Sequence, residues 1–389
     1  DNVYPVLTPM AVDASRPFPL IRNKTLNIVA LLEENPKKDD LLGKEEEKKL
    51  KAEGKKGGTI YEYATVQVPS VLPRLIPIPS VKEGEKSFIL LEQIIEKNIS
   101  KLFLGHKVVC AYPYRIMRNA DLSFDEDEAE DLLKEIEKSL KKRQWGEVIR
   151  LEVEYGIDKR LLAFLKDELR VESEDDIFKI NGPIDLTYLM KMYGLEGCDD
   201  LRYKPYTPQP VPQIQQGESI FDAIKKGDIL LHHPYQTFDP VVEFIRQAAK
   251  DPDVLAIKQT LYRVSGNSPI IASLAQAAEN GKQVSVLVEL KARFDEENNI
   301  VWAKKLEKAG CHVIYGLVGL KTHSKIALVV RREEEGICRY VHLGTGNYND
   351  STAKLYTDCG IFTCSEAIGE DATAVFNMLS GYSEPLSWN

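Results

Sequence analysis

The sequence lacks several features that would place it in a specialised class of protein. Its cysteines are scattered and form no C-x-x-C pair, which argues against a zinc site and predicts no disulfide framework in a chain of 389 residues. No apolar run approaches the roughly 20 residues of a membrane-spanning helix, and we expect no signal peptide before the first folded segment. We therefore expect a cytoplasmic protein with reduced thiols, for which a peripheral association with membranes stays open.

Positive charge is scarce relative to negative charge. The chain has 51 lysine and arginine residues against 60 aspartate and glutamate residues, and its formal net charge is −9. Nonspecific binding of nucleic acid needs a basic surface, so we expect no nucleic-acid partner. An acidic protein can still contain a local cluster of cationic side chains that selects an anionic ligand.

Two nucleotide-binding signatures are also absent. The chain contains no G-x-x-x-x-G-K-[ST] loop, and "GTGNYN" at 344–349 lacks the third glycine of a dinucleotide fingerprint. Any ATP that this protein binds must therefore be held by another arrangement.

Composition and periodicity divide the chain into two predicted domains. Residues 1–205 mix strand and helix patterns around a charge-dense insertion at about 36–57, which is typical of a solvated segment. The proline-rich stretch "LRYKPYTPQPVPQIQQG" at 201–217 reads as a linker, because proline fixes its φ angle. We place the second domain at 206–389.

Strand and helix patterns alternate in the second domain. "DILLHH", "VLAIKQTLY" and "QVSVLVEL" predict strands, each followed by a helical pattern, whereas "HSKIALVV" and "ICRYVHLG" predict a hairpin. The fold class is thus α/β: an α+β first domain, then a mixed, largely parallel sheet covered by helices. Ligands of such sheets bind at the carboxyl ends of the strands.

Cationic and phosphate-cradling residues recur at these strand ends. A lone arginine after a strand is usually a surface residue, but four successive strand ends of this kind indicate an anion site. The residues are Arg263, Lys291, Arg293, Lys321, His323, Lys325, Thr345, Gly346 and Asn347.

His323 is the candidate nucleophile. A neutral imidazole can attack phosphorus through one ring nitrogen, and Lys325, on the same side of a strand, can neutralise a transferring phosphoryl group. His232 and His233, at another strand end, are weaker candidates for proximity to the site. Tyr356 is either a packing aromatic or a platform for a base.

These residues carry a resemblance to a known family. "HSK" followed by "GTGN" resembles the H-x-K…G-[ST]-x-N half-site of the phospholipase D superfamily. With "DILLHHPYQTFDPV", "IKQTLYRV", "ELKARFDEENNI" and "LYTDCGIFT", the chain resembles bacterial polyphosphate kinase, and "YPVLTPMAVDASRPFPLI" is similar to the head domain of that family.

The resemblance implies a specific chemistry. Members of the family move the γ-phosphoryl group of ATP reversibly onto inorganic polyphosphate through a phosphohistidine, which His323 matches. Arg263 and Arg293 match two arginines at the magnesium and phosphate site, and Tyr356 matches the aromatic that stacks on adenine. Because arginine only donates hydrogen bonds, we expect both to bind phosphate near Mg²⁺ and leave its direct protein ligands open.

Two departures from the superfamily pattern affect the expected activity. The aspartate that follows H-x-K in phospholipases is replaced by "IALVV", which favours the kinases. Members of the family continue beyond the equivalent of these residues into a second similar domain, so we expect little turnover from this chain. We also expect the intact protein to be a homo-oligomer. A phospholipase D-like phosphodiesterase and a non-catalytic polyphosphate-binding or assembly module remain alternatives.

Overall fold

The structure is a computed structural model. It describes residues 2–13, 15–34, 61–119, 132–143, 145–204, 206–292, 295–316, 320–381 and 383–389. The charge-dense insertion at about 36–57 lies outside the described residues. No helix in the described part of the chain is both long enough and apolar enough to cross a bilayer.

The described residues form strands and helices throughout. The strands are β1 Pro9–Val12, β2 Leu26–Glu34, β3 Tyr61–Gln67, β4 Leu75–Ile78, β5 Ser87–Leu90, β6 His106–Arg118, β7 Val148–Glu154, β8 Ile177–Ile180, β9 Ile229–His233, β10 Val254–Leu261, β11 Gln283–Val288, β12 His312–Ile314, β13 Lys325–Glu333, β14 Gly336–Gly344 and β15 Asp358–Thr363. The helices are α1 Leu91–Asn98, α2 Leu132–Arg143, α3 Lys159–Leu169, α4 Leu189–Met192, α5 Ile220–Lys225, α6 Asp239–Lys250, α7 Pro269–Glu279, α8 Glu296–Lys308 and α9 Glu366–Gly381.

The chain forms two compact units. Unit 1 comprises Asp1–Asp121 and Lys141–Tyr203, and unit 2 comprises Leu122–Leu140 and Lys204–Asn389. The prediction of two domains that meet at 205/206 was made from composition, and it stays a prediction about domain boundaries.

Unit 1 is built around a six-stranded sheet in the order β1-β3-β2-β6-β7-β8. Successive residues of a strand point to opposite faces, and β2 is apolar on both. Val29 and Leu31 pack in a cluster with α3, while Ile28 and Ala30 pack in a cluster with α1. Helices on both faces therefore exclude water from the centre of this sheet.

Unit 2 contains a seven-stranded mixed sheet in the order β12-β11-β10-β13-β14-β15-β9. Ala327 and Val329 pack with residues of α6 and α7, whereas Ile326 and Leu328 pack with α9 on the opposite face. The predicted mixed α/β sheet with helices on both sides is confirmed.

The parallel part of this sheet is smaller than predicted. Only β10, β11 and β12 run parallel, whereas β10/β13, β13/β14, β14/β15 and β15/β9 are antiparallel pairs. β13 enters the sheet antiparallel to β10, so the strand direction changes between these two neighbours. This reversal decides where the candidate site residues lie.

Candidate functional site

Lys325 is the first residue of β13 and His323 lies two residues before it, so neither directly follows the end of a strand as predicted. Because β13 is antiparallel to β10, its first residue lies at the edge where β10 ends. The Thr260 hydroxyl on β10 donates to the carbonyl of Ser324 (2.8 Å) and accepts from the N–H of Ile326 (3.0 Å). These two bonds fix the backbone on both sides of Lys325.

The imidazole of His323 is exposed and contacts two neighbours. The Lys325 Nζ lies 3.0 Å from His323 Nδ1 and 2.5 Å from the His323 carbonyl oxygen. The Tyr262 ring meets the imidazole edge-on, with ring centres 5.2 Å apart and planes at 75°. Because an ammonium only donates, Nδ1 must accept, and the neutral ring then carries its proton on Nε2.

Lys325 is a buried cation. Its side chain is almost fully enclosed, and its Nζ lies 5.5 Å from the centre of the Tyr262 ring. Burial lowers the pKa of the Lys325 ammonium below its usual value, and the Asp358 carboxylate acts in the opposite direction. A buried cation beside an exposed histidine makes Lys325 a candidate functional residue.

Arg263 contacts the Tyr262 ring and an acidic side chain. Its Cζ is 5.6 Å from the Tyr262 ring centre, and its Nε pairs with Asp295 at 2.9 Å. The two distances share the Tyr262 ring, so Arg263 Cζ lies within about 11 Å of the His323 ring centre. A short phosphate chain could therefore contact both side chains at once.

The other predicted cationic residues differ in how far they are exposed to solvent. Arg293 lies outside the described residues. Lys291 is nearly buried, and Lys321 is exposed. β11 ends at Val288, so Lys291 lies in the segment that follows this strand.

The loop Gly344–Asn347 follows β14 and is held by an aspartate. The Thr345 hydroxyl donates to Asp358 Oδ1 (2.9 Å) and accepts from the N–H of Cys359 (3.0 Å). A Cβ on Gly346 would lie 2.5 Å from Asp358 Oδ2, so glycine lets the loop pass this carboxylate. Asn347 Oδ1 is buried and has no hydrogen-bond partner among the described residues.

Asp358 is a site residue that the sequence reasoning missed. It begins β15 within the stretch "LYTDCG", in which the sequence predicts a role only for Tyr356. Its side chain interacts electrostatically with Lys325 and holds Thr345. A single aspartate at a strand start carries no local signal, so only the pairing of β14 with β15 reveals it.

Tyr356 presents an open aromatic ring. Its side chain is 64% exposed, and its N–H donates to the Thr352 carbonyl. It precedes Asp358 by two residues in the chain. An exposed ring that is fixed through its backbone suits a stacking platform better than a packing role.

The remaining histidines of this sheet differ in environment. Burial lowers the pKa of His342 to about 3, and its Nδ1 lies 2.9 Å from the Tyr348 hydroxyl. The Nδ1 of His233 lies 3.1 Å from the Gln236 carbonyl, and burial lowers its pKa. His232 is exposed and contacts the Tyr235 ring. His342 lies on β14, and its Nε2 has no partner in the described part of the chain.

The carboxylates near this edge do not form an all-protein metal cage. The described residues contain no group of three or more histidine, cysteine, aspartate and glutamate side chains that could hold a metal ion. Asp295 pairs with Arg263, and Asp358 accepts from Thr345. This donor set fits a Mg²⁺ ion that is carried mainly by phosphate oxygens and water.

Comparisons with known proteins agree on one family. The family model described as polyphosphate kinase middle domain matches residues 1–192, and that of polyphosphate kinase C-terminal domain 1 matches residues 219–385. Curated polyphosphate kinases from Halalkalibacterium halodurans and Exiguobacterium sibiricum are 55% and 54% identical over the whole chain. The chain spans about half the length of these relatives, 52% of each.

A solved structure supports the same comparison. The crystal structure of polyphosphate kinase from Porphyromonas gingivalis aligns with 100% of this chain and 53% of its own, with a TM-score of 0.73 and 28% sequence identity. This chain therefore aligns with about half of that longer chain.

Proposed function

Because the chain belongs to the polyphosphate kinase family, we propose that it carries the phosphoryl-accepting site of a reversible ATP:polyphosphate phosphotransferase. His323 is the residue that takes the phosphoryl group. The observation that supports this most directly is the exposed imidazole beside a buried ammonium, 3.0 Å from Nδ1, at the edge of the sheet.

The proposed transfer begins with Lys325 leaving the imidazole. Its ammonium moves from Nδ1 to the oxygens of an incoming γ-phosphoryl group, which carry more negative charge. The ring proton can then reside on Nδ1, which leaves a lone pair on Nε2. That lone pair attacks phosphorus, the N–P bond forms, the bond to the bridging oxygen breaks, and ADP leaves with the electron pair.

The second half of the reaction regenerates the histidine. A terminal oxygen of polyphosphate attacks the same phosphorus, a new P–O bond forms, and the N–P bond breaks. The chain gains one phosphate unit, and His323 returns to its contact with Lys325. The same steps in reverse form ATP from ADP and polyphosphate.

Other residues are proposed to bind the two substrates. Arg263 and Arg293 bind phosphate oxygens, Tyr356 stacks on adenine, and Lys291, Lys321 and the loop 345–347 contribute to the phosphate cradle. Mg²⁺, when bound, would offset the negative charge of the phosphates beside Arg263. A cytoplasmic location and a homo-oligomeric assembly remain predictions for the intact protein.

Labelling with [γ-³²P]ATP tests the proposal. We expect an acid-labile label on a chain extended to the length of the curated relatives, which disappears in His323→Ala. His232→Ala is the matched control, because His232 is an exposed histidine of the same sheet. It should keep the label.

The remaining outcomes separate the alternatives. Diester hydrolysis without ATP/ADP exchange would favour a phosphodiesterase. Polyphosphate binding without any label would favour a binding module. We expect this 389-residue chain to form less ATP from ADP and polyphosphate than the extended chain, which a coupled assay of ATP measures.

A further inference from the structure

A buried carboxylate, that of Glu289, accepts a hydrogen bond from the residue before His323. Glu289 follows β11, and its side chain is fully buried (0% exposed). Its N–H donates to the Leu261 carbonyl (2.9 Å), and its carbonyl oxygen accepts from the Asn299 side-chain amide (2.8 Å). Both backbone groups of Glu289 are engaged, so its carboxylate starts from a fixed position between two strand ends.

Each oxygen of this carboxylate accepts a backbone hydrogen bond. Oε2 accepts from the N–H of Thr322 at 2.7 Å, and Oε1 accepts from the N–H of Lys291 at 3.0 Å. Thr322 is the residue immediately before His323. A buried carboxylate is costly unless such donors satisfy it, and bonds to a charged acceptor are stronger than neutral ones.

The chain between β12 and β13 also passes this carboxylate earlier. Gly316 has φ +86°, and a Cβ at that position would lie 3.4 Å from Glu289 Oε2. The chain therefore runs beside the same carboxylate at Gly316 and at Thr322.

We propose that Glu289 is a positioning residue for His323. Its carboxylate fixes the N–H of Thr322, and the adjacent imidazole is thereby held against Lys325 and Tyr262. The same carboxylate fixes the backbone of Lys291, so one side chain sets two neighbouring segments of the phosphate site relative to each other. The importance of this for phosphoryl transfer rests on the proposed function, whereas the geometric coupling does not.

Imidazole ¹H–¹⁵N NMR of the 389-residue chain tests the coupling without catalysis. Glu289→Gln keeps the size of the side chain, but its NH₂ group faces one of the two N–H donors. We expect the ring signals of His323 to shift or broaden while those of His342 stay in place. The affinity for tripolyphosphate should fall about tenfold, equivalent to about 1.4 kcal/mol.

Glu152→Gln is the matched control. Glu152 is also buried (7% exposed) and hydrogen-bonded, to Arg115 and Arg150, but it lies in unit 1. It should leave the His323 signals and the affinity unchanged. If Glu289→Gln fails to fold, Glu289→Asp enters the same comparison, because it keeps the charge and shortens the side chain by one methylene.

Two results would overturn the inference: unchanged His323 signals and affinity, or equal shifts of His323 and His342, which would indicate a general loss of structure. Failure of the proposed function looks different. In that case the parent chain forms no phosphohistidine when extended to full length, although the His323 signals still respond to Glu289→Gln.

Discussion

Lys325 contacts two atoms of His323, the ring Nδ1 and the backbone carbonyl oxygen. In this arrangement Nδ1 is occupied and Nε2 carries the proton, so neither ring nitrogen offers a free lone pair. In the proposed mechanism, an anion that attracts Lys325 frees Nδ1 to take the ring proton, which leaves a lone pair on Nε2. At the scale of single residues, we therefore propose that the lysine both restrains the histidine and binds phosphate.

Replacing Lys325 should change the affinity for phosphate chains without lowering the stability of the fold. We expect Lys325→Met to weaken tripolyphosphate binding at least tenfold, because the cation is lost, without lowering the midpoint of urea unfolding, because a buried charge is removed. Titration calorimetry and urea unfolding measure the two quantities. Lys308→Met, at an exposed lysine that ends α8, should change neither. A lower midpoint with unchanged affinity would contradict this assignment.

Glu96 should make the stability of unit 1 depend on pH. Burial raises the pKa of the Glu96 carboxyl from 4.5 to about 7, and the nearby Glu154 and Glu92 carboxylates add to the rise. Its folded pKa exceeds its unfolded pKa, so the folded state binds more protons between these values. The contribution of Glu96 to the stability of the fold is therefore fully present below about pH 4.5 and is lost as the pH rises through about 7.

Glu96→Gln should remove this dependence. We expect the variant to be more stable than the parent at pH 8 by about 1–3 kcal/mol, after allowance for partial exposure, and to match it near pH 4.5. Urea unfolding at several pH values measures the difference, with the exposed Glu83→Gln as control. A difference that does not vary with pH would show that the Glu96 carboxyl is not perturbed.

At the scale of elements, the loop between β14 and β15 depends on a close contact. A Cβ on Gly346 would lie 2.5 Å from Asp358 Oδ2, whereas a Cβ on Gly266 would meet nothing within 4 Å. Gly346→Ala should displace the Asp358 carboxylate from Thr345 and weaken tripolyphosphate binding about tenfold. Gly266→Ala should have no effect in the same titration. Equal affinities for the two variants would mean that this loop does not bind phosphate.

The elements themselves could be predicted from the sequence. The apolar alternation of "HSKIALVV" and "ICRYVHLG" indicated the hairpin that forms β13 and β14. Their pairing with β10 could not be predicted, because the direction of a neighbouring strand leaves no trace in local periodicity. The pattern "HSKIALVV" therefore places His323 next to the start of its strand, where it is observed, but it cannot show that this start lies beside the end of β10.

The supporting residues were missed for a related reason. Glu289 and Asp358 act through side-chain contacts with residues 33 and 13 positions away. Such contacts depend on tertiary structure, and a lone carboxylate beside a strand has many ordinary explanations. The cationic residues were found because several strand ends repeat the same chemistry.

At the scale of the whole molecule, a cationic site is set in an acidic chain of net charge −9. Binding of polyphosphate should therefore depend on local contacts and on salt. With about three phosphate contacts, affinity should fall about ten- to twentyfold between 50 and 200 mM salt. Duplex DNA should bind far more weakly at either concentration, which fluorescence anisotropy can compare. Salt-independent polyphosphate binding, or equal binding of DNA, would contradict a selective cationic site.

The central claim is that His323 receives the phosphoryl group. Peptide mass spectrometry at neutral pH, after brief exposure of the extended chain to ATP and Mg²⁺, localises the modified residue directly. The account predicts phosphate on the peptide that contains His323 and none on His232, His233 or His342. A phosphorylated peptide that lacks His323, or phosphate that persists at another residue in His323→Ala, would contradict it.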